Sequence, residues 1–350
     1  MSEGGKFSPW QQRAYRRLVA SFDADRLGHG QLVCGPAGLG KREVVEKFGQ
    51  YLLCERRHDG QPCGQCRSCQ LCQSRSQRDP LEQRPDKSPS HPHGHPAHPD
   101  AIFIGYALNP KSSTRNMWTQ IVVDQIRELT DRLFKTPQFG GNVFALIEPA
   151  DALNESASNS LLKTLEEPVP GRFLFLLTAN PMRLPATIRS RCQRLEFKLP
   201  LRDEALAWLR EQGWPDKSAA EALDAARGHP GLADEWLRGN GLALRRQVAD
   251  DLEKLQTGQG APVEIAQRWA ADEHAALRLR HAADLALARA AGLTDMTRMD
   301  KLASWFDHAN RTRDLLRTTV RGDLAMVELL LVWRGLHRAA SQPGERGGMA

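Results

Sequence analysis

The chain has 350 residues, 41% hydrophobic and 26% charged, with a formal net charge of +6. This is the composition of an ordinary globular protein of two or three domains, and it excludes a chain too polar to fold or one that needs disulfide staples. No apolar run reaches the length of a membrane span, and the opening MSEGGKFSPW lacks the apolar stretch of a secretory signal, so a cytoplasmic protein with no membrane partner is expected. The mild positive charge fits a polyanionic partner without requiring one.

Residues 10–28 carry Tyr15, Leu18, Val19 and Phe22 at helical spacing. Residues 31–34 form a short apolar run and predict a strand. Residues 43–53 return to helical spacing through Val44, Phe48, Tyr51 and Leu52. Between them lies GPAGLGKR, residues 35–42. Strand, glycine loop and helix is the setting of a phosphate-binding loop, in which the backbone around Gly35, Gly38 and Gly40 cradles phosphates and Lys41 reaches the outer ones. The next position should be Ser or Thr, whose hydroxyl holds magnesium. It is Arg42.

There are seven cysteines: Cys34, Cys54, Cys63, Cys66, Cys69, Cys72 and Cys192. In a reduced cytosol a cluster of them reads as a metal site before it reads as disulfides. Cys63, Cys66 and Cys69 are spaced C-x₂-C-x₂-C, and a structural zinc needs a fourth ligand. Cys72 continues the spacing, whereas Cys54 stands upstream at the end of the helix that follows the loop. Cys34 reads as a strand core residue and Cys192 as a packed one. Residues 73–99 are rich in Pro, His, Ser and Arg and predict a disordered surface insertion. Its histidines, His91, His93, His95 and His98, are metal-ligand types in a coil that offers them no fixed geometry.

Order resumes with a strand at 101–104. A helix follows with Val122, Ile126, Leu129 and Leu133 on one face, then a fully apolar strand at 143–147. Asn154 is placed to cap the next helix, and 173–178 is another buried strand. Alternating strands and helices predict a parallel α/β sheet with right-handed crossovers. Beyond residue 200 the alternation gives way to helices, broken at 213–215, 228–231, 239–241 and 258–262. The last long one, 324–336, is apolar on most of its surface and should be buried, in its own core or a neighbour's.

ATP hydrolysis on a phosphate loop needs a magnesium-binding hydroxyl, a carboxylate for the metal and a second one to orient water. The apolar strand ends in Glu148-Pro149, so Glu148 can serve a metal and Pro149 cannot polarise water. Hydrolysis, ATP binding without turnover, and a glycine turn that merely packs strand to helix all remain open on the residues alone.

Three further stretches carry a resemblance: NSLLKTLEEP at 159–168, LPATIRSRC at 184–192, and CGQCRSC at 63–69 beside His98-Pro99-Asp100. Together they are similar to the clamp-loader subunits of bacterial DNA polymerase III, members of the AAA+ family, over residues 10 to about 240. The resemblance implies a AAA+ α/β domain at 1–199 with a zinc module at 54–72, a helical lid at 200–240, an all-α collar at 241–340 that joins a ring, and a disordered tail at 341–350. It implies a five-subunit ring that sets the sliding clamp on primed DNA, with motor subunits (gamma or tau) and a delta subunit as partners. The chain would be a component of the DNA-directed DNA polymerase holoenzyme without ATPase activity of its own. The altered pocket points to the non-hydrolysing stator rather than to a motor. Gly231 in Gly228-His229-Pro230-Gly231 stands where motors keep an arginine that touches nucleotide. Arg191, in Ser190-Arg191-Cys192, is the position of an arginine finger offered to a neighbour's ATP. Cys54 becomes the fourth zinc ligand beside Cys63, Cys66 and Cys69, and Cys192 packs beneath Arg191. Thr178 and Asn180 occupy the place of a γ-phosphate sensor and read as a plain strand-end turn. Two rivals stay in view: an active motor ATPase, and a zinc-dependent DNA-binding module with Arg56, Arg57, His58 and Arg67 near the metal.

Overall fold

The computed structural model describes residues 7–110, 116–316 and 321–338. They fall into two units: one takes in the residues up to Gln212 together with Gly228–Gly231, the other Gly213–Arg227 and the residues from Leu232 onward. The expected disordered tail, 341–350, lies outside the described residues.

In chain order the first unit runs α1 (Pro9–Asp23), β1 (Gly30–Cys34), α2 (Lys41–Leu53), α3 (Arg67–Gln73), β2 (Arg75–Ser76), β3 (His95–Pro96), β4 (Ala101–Ile104), α4 (Val123–Phe134), β5 (Val143–Ile147), α5 (Glu155–Glu166), β6 (Arg172–Thr178), α6 (Ala186–Arg191), β7 (Gln193–Glu196) and α7 (Arg202–Glu211). Five strands form an all-parallel sheet in the order β4-β5-β6-β1-β7. Alternate residues serve opposite faces. Val33, Phe144, Leu146, Phe175 and Leu177 pack with the residues of α1 and α2. Leu32, Val143, Ala145, Ile147, Leu174 and Leu176 pack with those of α4, α5 and α6. A sheet covered on both faces needs apolar residues at every position, which is why these strands were legible as continuous runs. The α/β class with a parallel sheet and a helical C-terminal part is as expected. Asn154 caps α5, its side chain accepting from the Ala157 amide at 2.8 Å.

Three boundaries differ from the sequence reading. Helix α1 stops at Asp23, because Asp25 takes a left-handed backbone (φ 53°) that ends the helical run. Strand β7 was not anticipated: only Leu195 of its four residues is buried, so an edge strand shows no apolar signal. The break expected at residue 200 falls after Gln212, because α7 is tied to α1 by Trp208 edge-on to Trp10 (centroids 5.4 Å apart) and by an Arg13–Glu204 ion pair.

The 73–99 insertion is not a disordered coil. β2 and β3 pair antiparallel, Arg75 opposite Pro96 and Ser76 opposite His95. Glu82, Ser90, His91 and His98 are buried. The Ser90 amide donates to Glu82 O at 2.8 Å, Arg78 donates to Glu82 at 2.9 Å, and His95 Nε2 lies 2.7 Å from the same carboxylate. Composition rules weigh apolar area, and this segment is ordered by charge-assisted hydrogen bonds instead.

The second unit contains α8 (Asp216–Ala225), most of α9 (Pro230–Arg238), α10 (Gly241–Thr257), α11 (Pro262–Ala271), α12 (Ala275–Ala291), α13 (Met296–Leu315) and α14 (Gly322–Arg338). Its core holds Trp269, Trp305 and Trp333. Each indole N–H is satisfied, by Asp251 Oδ2 at 2.9 Å, Leu329 O at 2.9 Å and Leu252 O at 3.0 Å respectively. Helix α14 is not buried all round: Met326, Leu329, Leu330 and Trp333 are inside, while Leu324, Leu331 and Val332 are exposed. Replacing Trp333 by Ala removes a fully buried ring and its hydrogen bond to the Leu252 carbonyl. The substitution should cost about 3–5 kcal/mol, seen as a lower urea midpoint for the helical unit with the sheet unit's transition unmoved.

Candidate functional site

The glycine loop leaves the C-terminal end of β1, inside the sheet, where open α/β sheets hold their ligands, and enters α2 at Lys41. Its form is that of a phosphate loop. Gly35, Gly38 and Gly40 have φ of 136°, 79° and 76°. Gly35 also lacks room for a side chain: a Cβ there would lie 2.1 Å from the Phe197 backbone carbonyl oxygen.

The loop's polar groups are turned onto the protein itself. Lys41 Nζ donates to Gly35 O at 2.8 Å and to Pro36 O at 2.7 Å. Burial pulls the pKa of this ammonium down. Trp10 Nε1 donates to Leu39 O at 3.1 Å, and the His229 Nε2 proton is directed at Ala37 O at 2.6 Å. Gly231 presses so close that a Cβ there would lie 2.0 Å from Gly38 O, so this position cannot carry an arginine in the present arrangement.

Arg42 is buried, 5% exposed, and every nitrogen of its guanidinium has a partner. Nε donates to Glu46 Oε1 at 2.5 Å, Nη1 to Glu148 Oε2 at 2.8 Å and to Ser90 O at 3.2 Å, and Nη2 to His91 Nδ1 at 3.0 Å. Arg84 adds a second cation 3.7 Å from Glu148. The residue that replaces the magnesium-binding hydroxyl is therefore ion-paired to the carboxylate that would share the ion. Pro149 follows and offers no acid. Thr178 Oγ1 donates to Asp151 Oδ1 at 2.5 Å and accepts from the Asn180 amide at 2.9 Å, which closes the turn after β6. Of these partners, Glu46 was legible four residues along the helix from Arg42. Arg84, Ser90 and His91 were not, because the insertion gave no sign of where it would fold.

Glu82, His91 and His95 lie close enough together to hold a metal ion. Their hydrogen bonds favour another role. An arginine only donates, so His91 Nδ1 is an acceptor and the ring proton sits on Nε2, toward Glu82 Oε2 at 3.6 Å. Burial, with Arg42 beside it, holds the His91 pKa down to about 2, so the ring is neutral. The other histidines go elsewhere: His93 lies 3.7 Å from Glu46, and His98 Nε2 is 3.1 Å from Ser68 Oγ.

The structure brings Cys54, Cys63, Cys66 and Cys69 together as a set that can hold a metal ion. Cys72 stands apart, packed in the core with α1 and α2. The Sγ atoms of Cys54 and Cys66 are 3.9 Å apart, and those of Cys63 and Cys69 are 4.0 Å apart. Four sulfurs at ~2.3 Å from a tetrahedral zinc are separated by about 3.8 Å, so the set fits that ion. Amides turn toward the sulfurs, Cys63 N to Cys54 Sγ at 3.3 Å, Cys66 N to Cys63 Sγ at 3.3 Å and Cys69 N to Cys66 Sγ at 3.4 Å. The amides of Gln65 and Cys66 draw the Cys63 thiol down to about 6, while burial pushes Cys54 and Cys69 up. Arg56 is exposed, while Arg57 lies over the Phe22 ring (4.9 Å) and Arg67 over the Phe139 ring (5.0 Å).

Arg191 ends α6, partly exposed, ion-paired to Glu166 at 2.7 Å and donating to Thr187 O at 3.0 Å. Cys192 packs against the α5 side of the sheet, where burial pushes its thiol up to about 12. Cys34 is buried in β1.

Residues 10–200 match the family model described as DNA polymerase III, delta subunit. The DNA polymerase III subunit delta′ of Pseudomonas aeruginosa is 34% identical over 264 residues, covering 75% of this chain and 70% of the relative. The subunit delta′ of Escherichia coli is 29% identical over 339 residues, covering 95% and 92%. A gamma subunit-related protein of Thermotoga maritima, known as a crystal structure, aligns over 94% of this chain and 100% of its own at 17% identity, but its TM-score of 0.41 is too low to carry a conclusion. Matched by the model over more than half its length and 34% identical to a subunit delta′ over 75% of it, this chain belongs to the DNA polymerase III delta-subunit family.

Proposed function

We propose that this chain is the non-hydrolysing stator of a bacterial replicative clamp loader, a AAA+ subunit that helps set the sliding clamp on primed DNA. The observation that carries the reading is the Arg42–Glu148 ion pair, in a chain whose relatives are delta′ subunits. A loop with that pair and with Pro149 at the strand end has no means to fix magnesium or to activate water. Its partners in the ring would be the motor subunits (gamma or tau) and a delta subunit, joined through the helical second unit, where the exposed Leu324, Leu331 and Val332 of α14 offer an apolar stripe. No described helix is long and apolar enough to cross a membrane, in keeping with a cytoplasmic role.

Arg191 is the group this subunit would lend. A guanidinium set against a neighbour's γ-phosphate neutralises charge as the bond breaks, and such fingers are worth about 10³–10⁵ in GTPases. To reach it Arg191 must leave Glu166, and exposed ion pairs of this kind contribute at most about 1 kcal/mol. Zinc on Cys54, Cys63, Cys66 and Cys69 would act as a structural staple, pinning the 54–72 segment to the end of α2. ATP binding without turnover is a second reading, favoured by the preserved glycine geometry and Lys41.

Arg191→Ala should leave ring assembly with gamma or tau and delta unchanged on size-exclusion chromatography. The DNA-stimulated ATPase of the assembled loader should fall, with about a 10³-fold loss at the one site the finger faces. An unaltered rate would remove Arg191 from the mechanism. For the metal, Cys66→Ser should abolish zinc in elemental analysis of the purified chain and lower its melting temperature. Cys72→Ser should keep its zinc. Zinc retained in Cys54→Ser but lost in Cys72→Ser would move the fourth ligand to Cys72.

A further inference from the structure

The function just argued assigns nothing to the 73–99 insertion, yet three of its residues converge on the phosphate loop. Ser90 O and His91 Nδ1 each accept from Arg42, and Arg84 stands 3.7 Å from Glu148. The fit against β4 is close. A Cβ on Gly105 would lie 2.4 Å from Ser90 Oγ, 3.0 Å from His91 Nε2 and 3.0 Å from Glu148 O, so the segment is seated on the end of the strand with no room to spare. Glu82 holds the segment together from behind, through Arg78, His95 and the Ser90 amide. On the other side Glu46 receives Arg42 and Arg75.

We propose that the Arg42 guanidinium takes the place of a magnesium ion in this phosphate loop, and that the insertion is the clamp that holds it there. The charge logic is simple. A loop of this class places a cation between the first residues of its helix and the carboxylate at the neighbouring strand end. Here a covalently attached cation fills that position, bridges α2 to Glu148, and donates to Ser90 O and His91 of the insertion. A guanidinium cannot be deprotonated and cannot diffuse away, so the loop keeps its bound form without a ligand. His91 suits the task because it stays neutral and offers Arg42 an acceptor rather than a second charge. The proposal rests on the reading of 35–42 as a phosphate loop and does not depend on Arg191.

Two experiments on the isolated full-length chain test it. The first measures binding of an ATP analogue with a non-hydrolysable β–γ bridge, in Mg²⁺ and in EDTA. The unaltered chain should show no binding, or an affinity that magnesium changes by less than about twofold. Arg42→Ser restores the hydroxyl beside Glu148 and should bind at least about tenfold more tightly in Mg²⁺ than in EDTA. Strong magnesium dependence in the unaltered chain, or none in a folded R42S, would overturn the first half of the proposal. The second variant replaces residues 77–94 by Asn-Gly, a two-residue turn that closes the β2–β3 pair. Arg42 should then react with a dicarbonyl arginine reagent, followed by peptide mass spectrometry, at least about tenfold faster than in the intact chain. Equal protection would show that the insertion is not the clamp. Neither readout involves turnover by neighbouring subunits, so a failure here and a failure of the finger assignment would look different.

Discussion

The structure turns on a buried cation meeting a partly buried carboxylate at the mouth of a phosphate loop. Arg42 is buried and Glu148 only partly exposed, and there an ion pair survives only if its remaining donors and acceptors are also satisfied. The arrangement around them meets that demand with Glu46, His91 and the Ser90 carbonyl. Around the fixed cation the neighbouring polar groups are paired within the chain. Lys41 turns back to the loop carbonyls, Thr178 closes a strand-end turn with Asp151, and Gly231 lies flat against Gly38. The loop keeps the outline of a nucleotide site while its polar groups are spent within the chain.

Much of this was legible in the sequence. The buried strands and the helices on either side of the sheet followed from apolar runs and from periodicity, since a sheet covered on both faces leaves no polar positions to confuse the pattern. The glycine loop, Arg42 and Glu148-Pro149 were visible as a motif with parts replaced. The cysteine spacing announced three of a metal-binding set. Spacing alone left Cys54 and Cys72 open as its fourth member and the family resemblance pointed to Cys54; the fold brings Cys54 to the cluster and packs Cys72 in the core.

What the sequence concealed has physical causes too. The 73–99 segment is poor in apolar residues, and its order comes from Glu82, Arg78, His91 and His95 meeting groups far away in sequence. Pairwise charge geometry of that kind leaves no periodic trace. Strand β7, at the sheet edge, buries one residue in four and so shows no apolar signal. Helix α14 looked apolar all round, yet only one side meets the core. The remainder is the sort of face that a ring subunit would cover with a neighbour.

On this account the chain holds its own nucleotide pocket fixed and contributes charge and shape to its neighbours. The most direct measurement is steady-state ATP hydrolysis by the purified chain alone, with magnesium and with and without primed DNA. The account requires a rate indistinguishable from a Lys41→Ala control. Brisk turnover that disappears in that control would mean that Arg42 yields to magnesium and that the chain is a motor.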